Sequence, residues 1–512
     1  MIKNKLSAHT FLLAAFPILF LYQYNIDETS IDEVLPFILM SLATTLVLFF
    51  VARFFLKDAS KAALAISAFL ILFFSYGHVA QSTRRWNPAG IDNEIILMIL
   101  FVFLVIGAVG LLAKTQRNLD NFSNIFNVTA AALIATSLVN IGLAQIQGLS
   151  VDQGPVNQSS SKSAKVIDLE DIPSRPDIYY IVLDSYPSES NIREVYKYDN
   201  HDFFDYLEKK GFYVASKSRS NYVQTYLSLA SSLNMQYIND LGDTLGTETK
   251  SLAKPKMMLR NNKAMMFLKD RGYKFVHVRS GWTGTDYNKY ADIQINSGYG
   301  SEFATTLLGT TALRFLDSQI GLVEKGARAR ILSIFENVPK VSRITEPTFT
   351  FAHIVPPHPP YFFGAKGEHV KRVRFKLKGR VWAEKDKYID QVRFVNEKVK
   401  VMIDTIIANS DIPPIILLQG DHGPASSIYT DKKGNWRNPT DRQLKERTGI
   451  LNAYYLPGGK DAQLYPTISP VNSLKYVFNA YFDANFERLP DETFYSNYQK
   501  PYLFKNIDDR IR

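Results

Sequence analysis

A chain of 512 residues is long enough for more than one domain, and its lack of cysteine excludes disulfides, thiolate metal sites and cysteine nucleophiles. The net charge of +10 is spread out, with no compact basic block or aromatic-basic repeat. That excludes an obvious nucleic-acid surface and leaves attraction to anionic lipid as the natural use of the excess.

Apolar residues are concentrated in the first 150 positions, and the remainder has the composition of a soluble protein. Five stretches, roughly 8–24, 34–56, 62–80, 94–113 and 125–146, are apolar enough to span a bilayer, which takes about 20 residues. No small-x-small cleavage site follows the first, so it reads as a retained span rather than a signal peptide. Lys3, Lys5, Arg53, Lys57, Lys61, Lys114 and Arg117 flank one side. The opposite loops carry Arg84 and Arg85 and the acidic run from Asp27 to Glu33. The positive-inside rule then puts the amino terminus in the cytoplasm and everything after about residue 147 outside it. His9 and His78 lie at span ends and read as interfacial residues. No acid or base sits mid-span, which argues for an anchor rather than an ion pathway.

Residues 148–174, rich in Gly, Ser, Asn and Gln, read as a flexible linker. From 175 to 512 strand and helix patterns alternate. Strands are expected at 178–183, 212–215, 274–279, 347–354, 414–419 and 450–456, and helices at 201–210, 226–234, 261–271, 302–322 and 384–409. This alternation predicts an α/β domain with a mainly parallel sheet. The basic run between Lys366 and Arg380 reads as a solvated face, or as a contact for anionic lipid.

Four motifs carry candidate chemistry. The apolar run Ile178–Leu183 ends in Asp184, either a turn residue or a ligand at the carboxyl edge of a sheet. Thr225 stands where a loop gives way to a helix, as an N-cap or as a hydroxyl in the field of a helix amino terminus. The strand 415–419 runs into Gly420-Asp421-His422-Gly423, two ligand-type residues between glycines. His353 and His358 lie in a stretch whose four prolines fix the backbone around His358, giving a rigid loop or a preorganised substrate contact. Together Asp184, Thr225, Asp421 and His422 offer three oxygens and one nitrogen, a set suited to Zn²⁺ or Mn²⁺. Such an ion would activate the Thr225 hydroxyl as a nucleophile at neutral pH.

An Asp after the first strand, a Thr about forty residues on, a His-Pro loop and a late Asp-His-Gly resemble the sulfatase/alkaline phosphatase superfamily. Five spans before such a domain resemble its lipoteichoic acid synthase and phosphoethanolamine transferase branch. The resemblance implies a transmembrane helical bundle followed by a sulfatase-like α/β domain outside the cytoplasm. It implies Asp184, Thr225, Asp421 and His422 as metal and nucleophile positions, and His358 as a substrate-phosphate contact. His277 and Trp282 are looser matches to head-group contacts, or strand-end packing residues. Two departures matter. The branch usually has Glu where this chain has Asp184, and Thr225 lacks the sequence context of a formylglycine. No histidine follows His422, which points to one divalent ion rather than two.

The expected activity is transfer of a phospholipid head group, through a phospho-threonine, to an envelope glycan, glycolipid or polymer. A phosphoester or sulfoester hydrolase, and a non-catalytic scaffold of envelope assembly, are the alternatives.

Overall fold

The computed structural model describes residues 7–26, 29, 31–83, 93–152, 175–295, 302–370 and 379–511. Most of the expected linker 148–174 therefore lies outside the described residues, as do Arg84, Arg85 and the central part of the basic run after Lys366. The chain divides into two units, 1–161 with 300–323, and 162–299 with 324–512.

The first unit is helical. Its helices are α1 (His9–Tyr24), α2 (Ile31–Leu56), α3 (Ala59–Ser82), α4 (Asn93–Lys114) and α5 (Asp120–Asp152). The last four are long and apolar enough to cross a membrane, whereas α1 has only 16 residues. On α2 and α4 many large apolar side chains are exposed, Leu39, Phe54 and Phe103 among them, as expected of surfaces that meet lipid. His9 is buried, with Nδ1 2.7 Å from Ser67 Oγ of α3. Residues 302–323 complete this unit as two short helices, Glu302–Thr310 and Leu313–Ile320, where one helix was expected.

The second unit is built on a seven-stranded sheet. Its strands are β1 (Ile178–Leu183), β2 (Tyr213–Val214), β3 (Lys274–Val278), β4 (Ile293–Ile295), β5 (Thr348–Ile354), β6 (Ile415–Gly420) and β7 (Asn452–Tyr455), in spatial order β2-β7-β6-β1-β5-β3-β4. β1 runs parallel to β5 and β6, β3 runs parallel to β5 and β4, and β7 and β2 are antiparallel at one edge. A separate hairpin, β8 (Phe494–Asn497) and β9 (Lys500–Asn506), lies near the carboxyl terminus.

All six residues of β1 are buried, which explains its unbroken apolar run. Tyr179, Ile181 and Leu183 face one core, and Ile178, Tyr180 and Val182 face the other, the period-2 alternation of a strand covered on both sides. Burial of side chains of this size stabilises by about 1.5–3 kcal/mol each. The helix Lys385–Asn409 supplies much of the first core through Tyr388, Val392, Val395, Val399 and Ile403. The helix Pro470–Phe482 supplies the second through Leu474, Val477 and Phe478.

Candidate active site

Strand register brings the site together. Leu183 pairs with Ile354 of β5 on one side and Gly420 of β6 on the other. The next residues, Asp184 and Asp421, therefore emerge side by side at the carboxyl edge of the sheet, where open α/β sheets place ligands. Gly420 is required because a Cβ there would collide with the carbonyl of Tyr186, and Gly423 because a Cβ would strike that of Glu446. The glycines around Asp421-His422 thus let neighbouring backbone close over the turn.

Ser185 links the two strand ends. Its φ is +62°, a left-handed conformation that costs a non-glycine residue on the order of 1 kcal/mol or more. Its N–H donates to Asp421 Oδ1 (2.9 Å) and its hydroxyl to Asp184 Oδ1 (2.8 Å). Its carbonyl accepts from Tyr388 Oη (2.8 Å), which holds the turn in place.

Thr225 is the first residue of the helix Thr225–Asn234, whose N-cap is Gln224. The N-cap expectation for Thr225 is therefore corrected, and its hydroxyl is not tied down by capping. Thr225 Oγ1 lies 3.0 Å from His422 Nε2. One turn on, Ser228 Oγ donates to the carbonyl of Asp421 (2.6 Å), pinning this helix to the Asp-His turn.

His422 Nδ1 lies 3.1 Å from the carbonyl of Gly423, which can only accept, so Nδ1 carries the proton and the Nε2 lone pair faces the centre. Asp184, Asp421 and His422 each offer a ligand atom within 4.8 Å of the others. Asp421 Oδ2 is buried with no hydrogen-bond partner. An orphaned carboxylate oxygen beside a second buried carboxylate, an imidazole lone pair and a hydroxyl fits a divalent cation of the Zn²⁺ or Mn²⁺ type.

The electrostatics agree. Burial, and then the charge of Asp184, push the Asp421 carboxyl up to about 7. Burial also raises the Asp184 carboxyl, but the pull of His358, His353 and His422 outweighs it and holds the group below the usual carboxylate range. Burial lowers His358, and burial with the Arg447 charge lowers His422 further. Both imidazoles are thus driven towards the neutral form, which weakens the attraction on Asp184. The direction that stands is the rise on Asp421, because two buried carboxylates this close need a cation to ionise together.

The remaining expected residues are spread around this centre. His353, on β5, has Nε2 3.6 Å from Asp184 Oδ2 and Nδ1 2.7 Å from Thr285 Oγ1. Trp282 lies edge-on to His353, with ring centroids 5.5 Å apart, and packs on Tyr226 at 4.5 Å. His358 sits between two cis X-Pro bonds, its ring edge-on to Trp382 and its Nδ1 2.6 Å from the carbonyl of Pro359. His277 lies 2.9 Å from the carbonyl of Thr285 and beside the rings of Phe275 and Phe351, and no contact joins it to the carboxylate pair. It supports the 280–286 segment that carries Trp282.

Arg447 is a further member of the site that the sequence does not reveal. It is 2% exposed, at the end of the helix Asp441–Thr448. Nε donates to the carbonyl of Val223 (2.9 Å) and Nη1 to that of Gly423 (2.7 Å). Nη2 donates to His422 Nε2 (2.9 Å), a hydrogen bond that a cation held by that lone pair would replace, and lies 3.4 Å from Tyr498 Oη. Among the described residues no carboxylate pairs with this buried cation. The adjacent Glu446 instead accepts the amides and hydroxyls of Ser426 and Ser427, locking the loop after the Asp-His turn.

No protein-family model matches the chain. No curated protein matches it by sequence. Among solved structures it is similar to the C-terminal periplasmic domain of EptC from Escherichia coli, at 14% identity and TM-score 0.44, over 66% of this chain and 94% of that one. It is also similar to the integral membrane protein lipooligosaccharide phosphoethanolamine transferase A from Neisseria meningitidis, at 12% identity and TM-score 0.39, over 92% of this chain and 95% of that one. The periplasmic domain of phosphoethanolamine transferase EptC from Campylobacter jejuni matches at 12% identity and TM-score 0.36, over 60% and 90%. Likeness at this level assigns no role to any residue; a role for a residue of this chain rests on its own side-chain geometry.

Proposed function

We propose that this protein is a membrane-anchored, metal-dependent transferase of phospholipid head groups, acting outside the cytoplasm. The observation that carries the reading is Thr225 Oγ1, uncommitted to capping, 3.0 Å from His422 Nε2 beside the Asp184/Asp421 pair. Asp184, Asp421, His422 and the Thr225 oxygen would hold one Zn²⁺ or Mn²⁺, which when bound supplies charge stabilisation and acidifies the hydroxyl.

The chain's own groups perform the rest. Thr225 Oγ1 attacks the phosphorus of a phosphodiester. The new Oγ–P bond replaces the P–O bond to diacylglycerol, and the hydroxyl proton ends on the leaving oxygen. A hydroxyl of an envelope glycan, glycolipid or polymer then attacks the phospho-threonine and restores Thr225. A divalent ion would offset the two carboxylates, so the Arg447 guanidinium, which has no carboxylate partner among the described residues, leaves the site net positive and suited to an anionic phosphoryl group. His353, His358 and Trp282 would border the head group, while His277 would act through the segment it supports.

Incubation of the purified full-length protein with head-group-labelled phospholipid tests this reading. The expected result is diacylglycerol release that is lost on chelation and restored by Zn²⁺ or Mn²⁺. Release unaffected by chelation would contradict it. A product carrying the label on water alone would favour the hydrolase.

A further inference from the structure

The chain leaves the α/β unit at about residue 300 and returns at 324, and the excursion groups with the amino-terminal helices. Phe303 and Leu307 are buried among Ala14, Ile18, Leu70 and Phe74. The amide of Ala312 donates to the carbonyl of Phe73 on α3 (2.9 Å), and Arg314 Nε pairs with Glu94 Oε1 at the start of α4 (2.8 Å). The docking site is thus the end of the bundle where α3 finishes and α4 begins. It is opposite the end flanked by Arg53, Lys61 and Lys114, and so the extracytoplasmic end by the positive-inside rule.

The outward face of the helix Leu313–Ile320 is the unexpected feature. Leu313, Leu316 and Ile320 form an i, i+3, i+7 stripe and are 45%, 52% and 51% exposed, and Leu322 continues it at 53%. In a water-facing element this stripe would be a liability. Polar groups nearby are satisfied locally. Arg314 is paired with Glu94, Asp317 Oδ1 accepts from the amide of Val323 (2.8 Å), and the Thr310, Thr311 and Ser318 hydroxyls donate to carbonyls within their own turns. That is the condition for backbone and side chains to enter an apolar medium. The stripe also belongs to the same unit as outward residues such as Phe103 on α4, 73% exposed in a span.

We propose that residues 302–322 form an interfacial element lying in the outer leaflet, with Leu313, Leu316, Ile320 and Leu322 seated among lipid acyl chains. Its occupant is the bilayer surface itself, entered to a depth of about 5–10 Å. The element lies within the sequence of the catalytic half yet belongs to the membrane unit. The proposal requires the helical unit to be in a membrane but does not depend on the transferase chemistry.

The cysteine-free chain makes the test direct. Leu316→Cys, Ile320→Cys, Ser318→Cys and Phe103→Cys variants of the full-length protein are spin-labelled in nanodiscs of phosphatidylcholine and phosphatidylglycerol. Accessibility to oxygen and to a water-soluble nickel chelate is then compared. Labels at 316 and 320 should resemble Phe103→Cys, with an oxygen-to-nickel ratio roughly tenfold above that of Ser318→Cys on the opposite side of the helix. Nickel access at 316 and 320 equal to that at 318, with Phe103→Cys protected, overturns the proposal. Nickel access at Phe103→Cys overturns the membrane reading along with it.

Discussion

The carboxyl edge of β1 and the helix Leu313–Ile320 depart from the ordinary partition of a soluble domain in opposite directions. At the first, Asp184, Asp421, His422 and Arg447 are all 3% exposed or less. At the second, Leu313, Leu316 and Ile320 are about half exposed. Buried charge is costly unless something compensates it, and exposed apolar surface is costly in water. Each anomaly names what would relieve it. The buried carboxylates call for a cation, the buried guanidinium for an anion, and the leucine stripe for lipid.

The most severe way to break the first half of this comparison is Thr225→Ala, which keeps the charge cluster but removes the nucleophile. Transfer should fall by about 10³-fold or more with the fold intact by circular dichroism, and Thr225→Ser should retain part of the activity. Asp421→Asn removes one of the charges that a cation compensates. Metal content by mass spectrometry should drop below one per chain, and activity should fall by roughly 10²-fold or more.

Arg447→Gln probes the anion side. Loss of a charged hydrogen bond of about 1.5–3 kcal/mol should raise the KM for phospholipid by about 10–10²-fold while the metal remains bound. An unchanged KM would make Arg447 a structural brace only.

The pH dependence sharpens the same point. With Asp421 pushed up to about 7, metal binding must displace its proton, so affinity should rise by up to about tenfold per pH unit below 7 and then level off. An acid with a raised pKa holds more protons folded than unfolded. The Asp421 contribution to metal-free stability therefore falls as pH climbs towards 7, against the opposite contribution of the lowered His358 and His422, and Asp421→Asn should remove that falling component from the stability-pH profile. The smallest effect is expected from Gly423→Ala, whose Cβ meets the Glu446 carbonyl, at about 1–3 kcal/mol of stability in thermal melts.

The sequence reveals much of the first region. β1 matches its expected limits, because a strand covered on both faces shows as an unbroken apolar run closed by turn residues. Asp184 and the Asp421-His422 pair are legible because the sheet places chemistry after such strands. Their adjacency is not, since it depends on β1 lying between β5 and β6. Arg447 is hidden for a related reason. In Lys445-Glu446-Arg447 it resembles any charged helix end, and only the fold turns it inward. Ser185 adjoins a motif residue, but its left-handed backbone has no sequence signal.

The segment 302–322 is helical in sequence and in structure, but its amphipathic pattern does not say whether the apolar face meets protein or lipid. Short edge strands such as Ile293–Ile295 carry too few residues to show a period.

The central claim, that Thr225 becomes covalently loaded, is tested most directly by peptide mass spectrometry of the full-length protein quenched during turnover with phospholipid and metal. A head-group phosphoryl adduct is expected on the peptide containing Thr225, absent from Thr225→Ala. Diacylglycerol release with that peptide unmodified, or an adduct on a different residue, would contradict it.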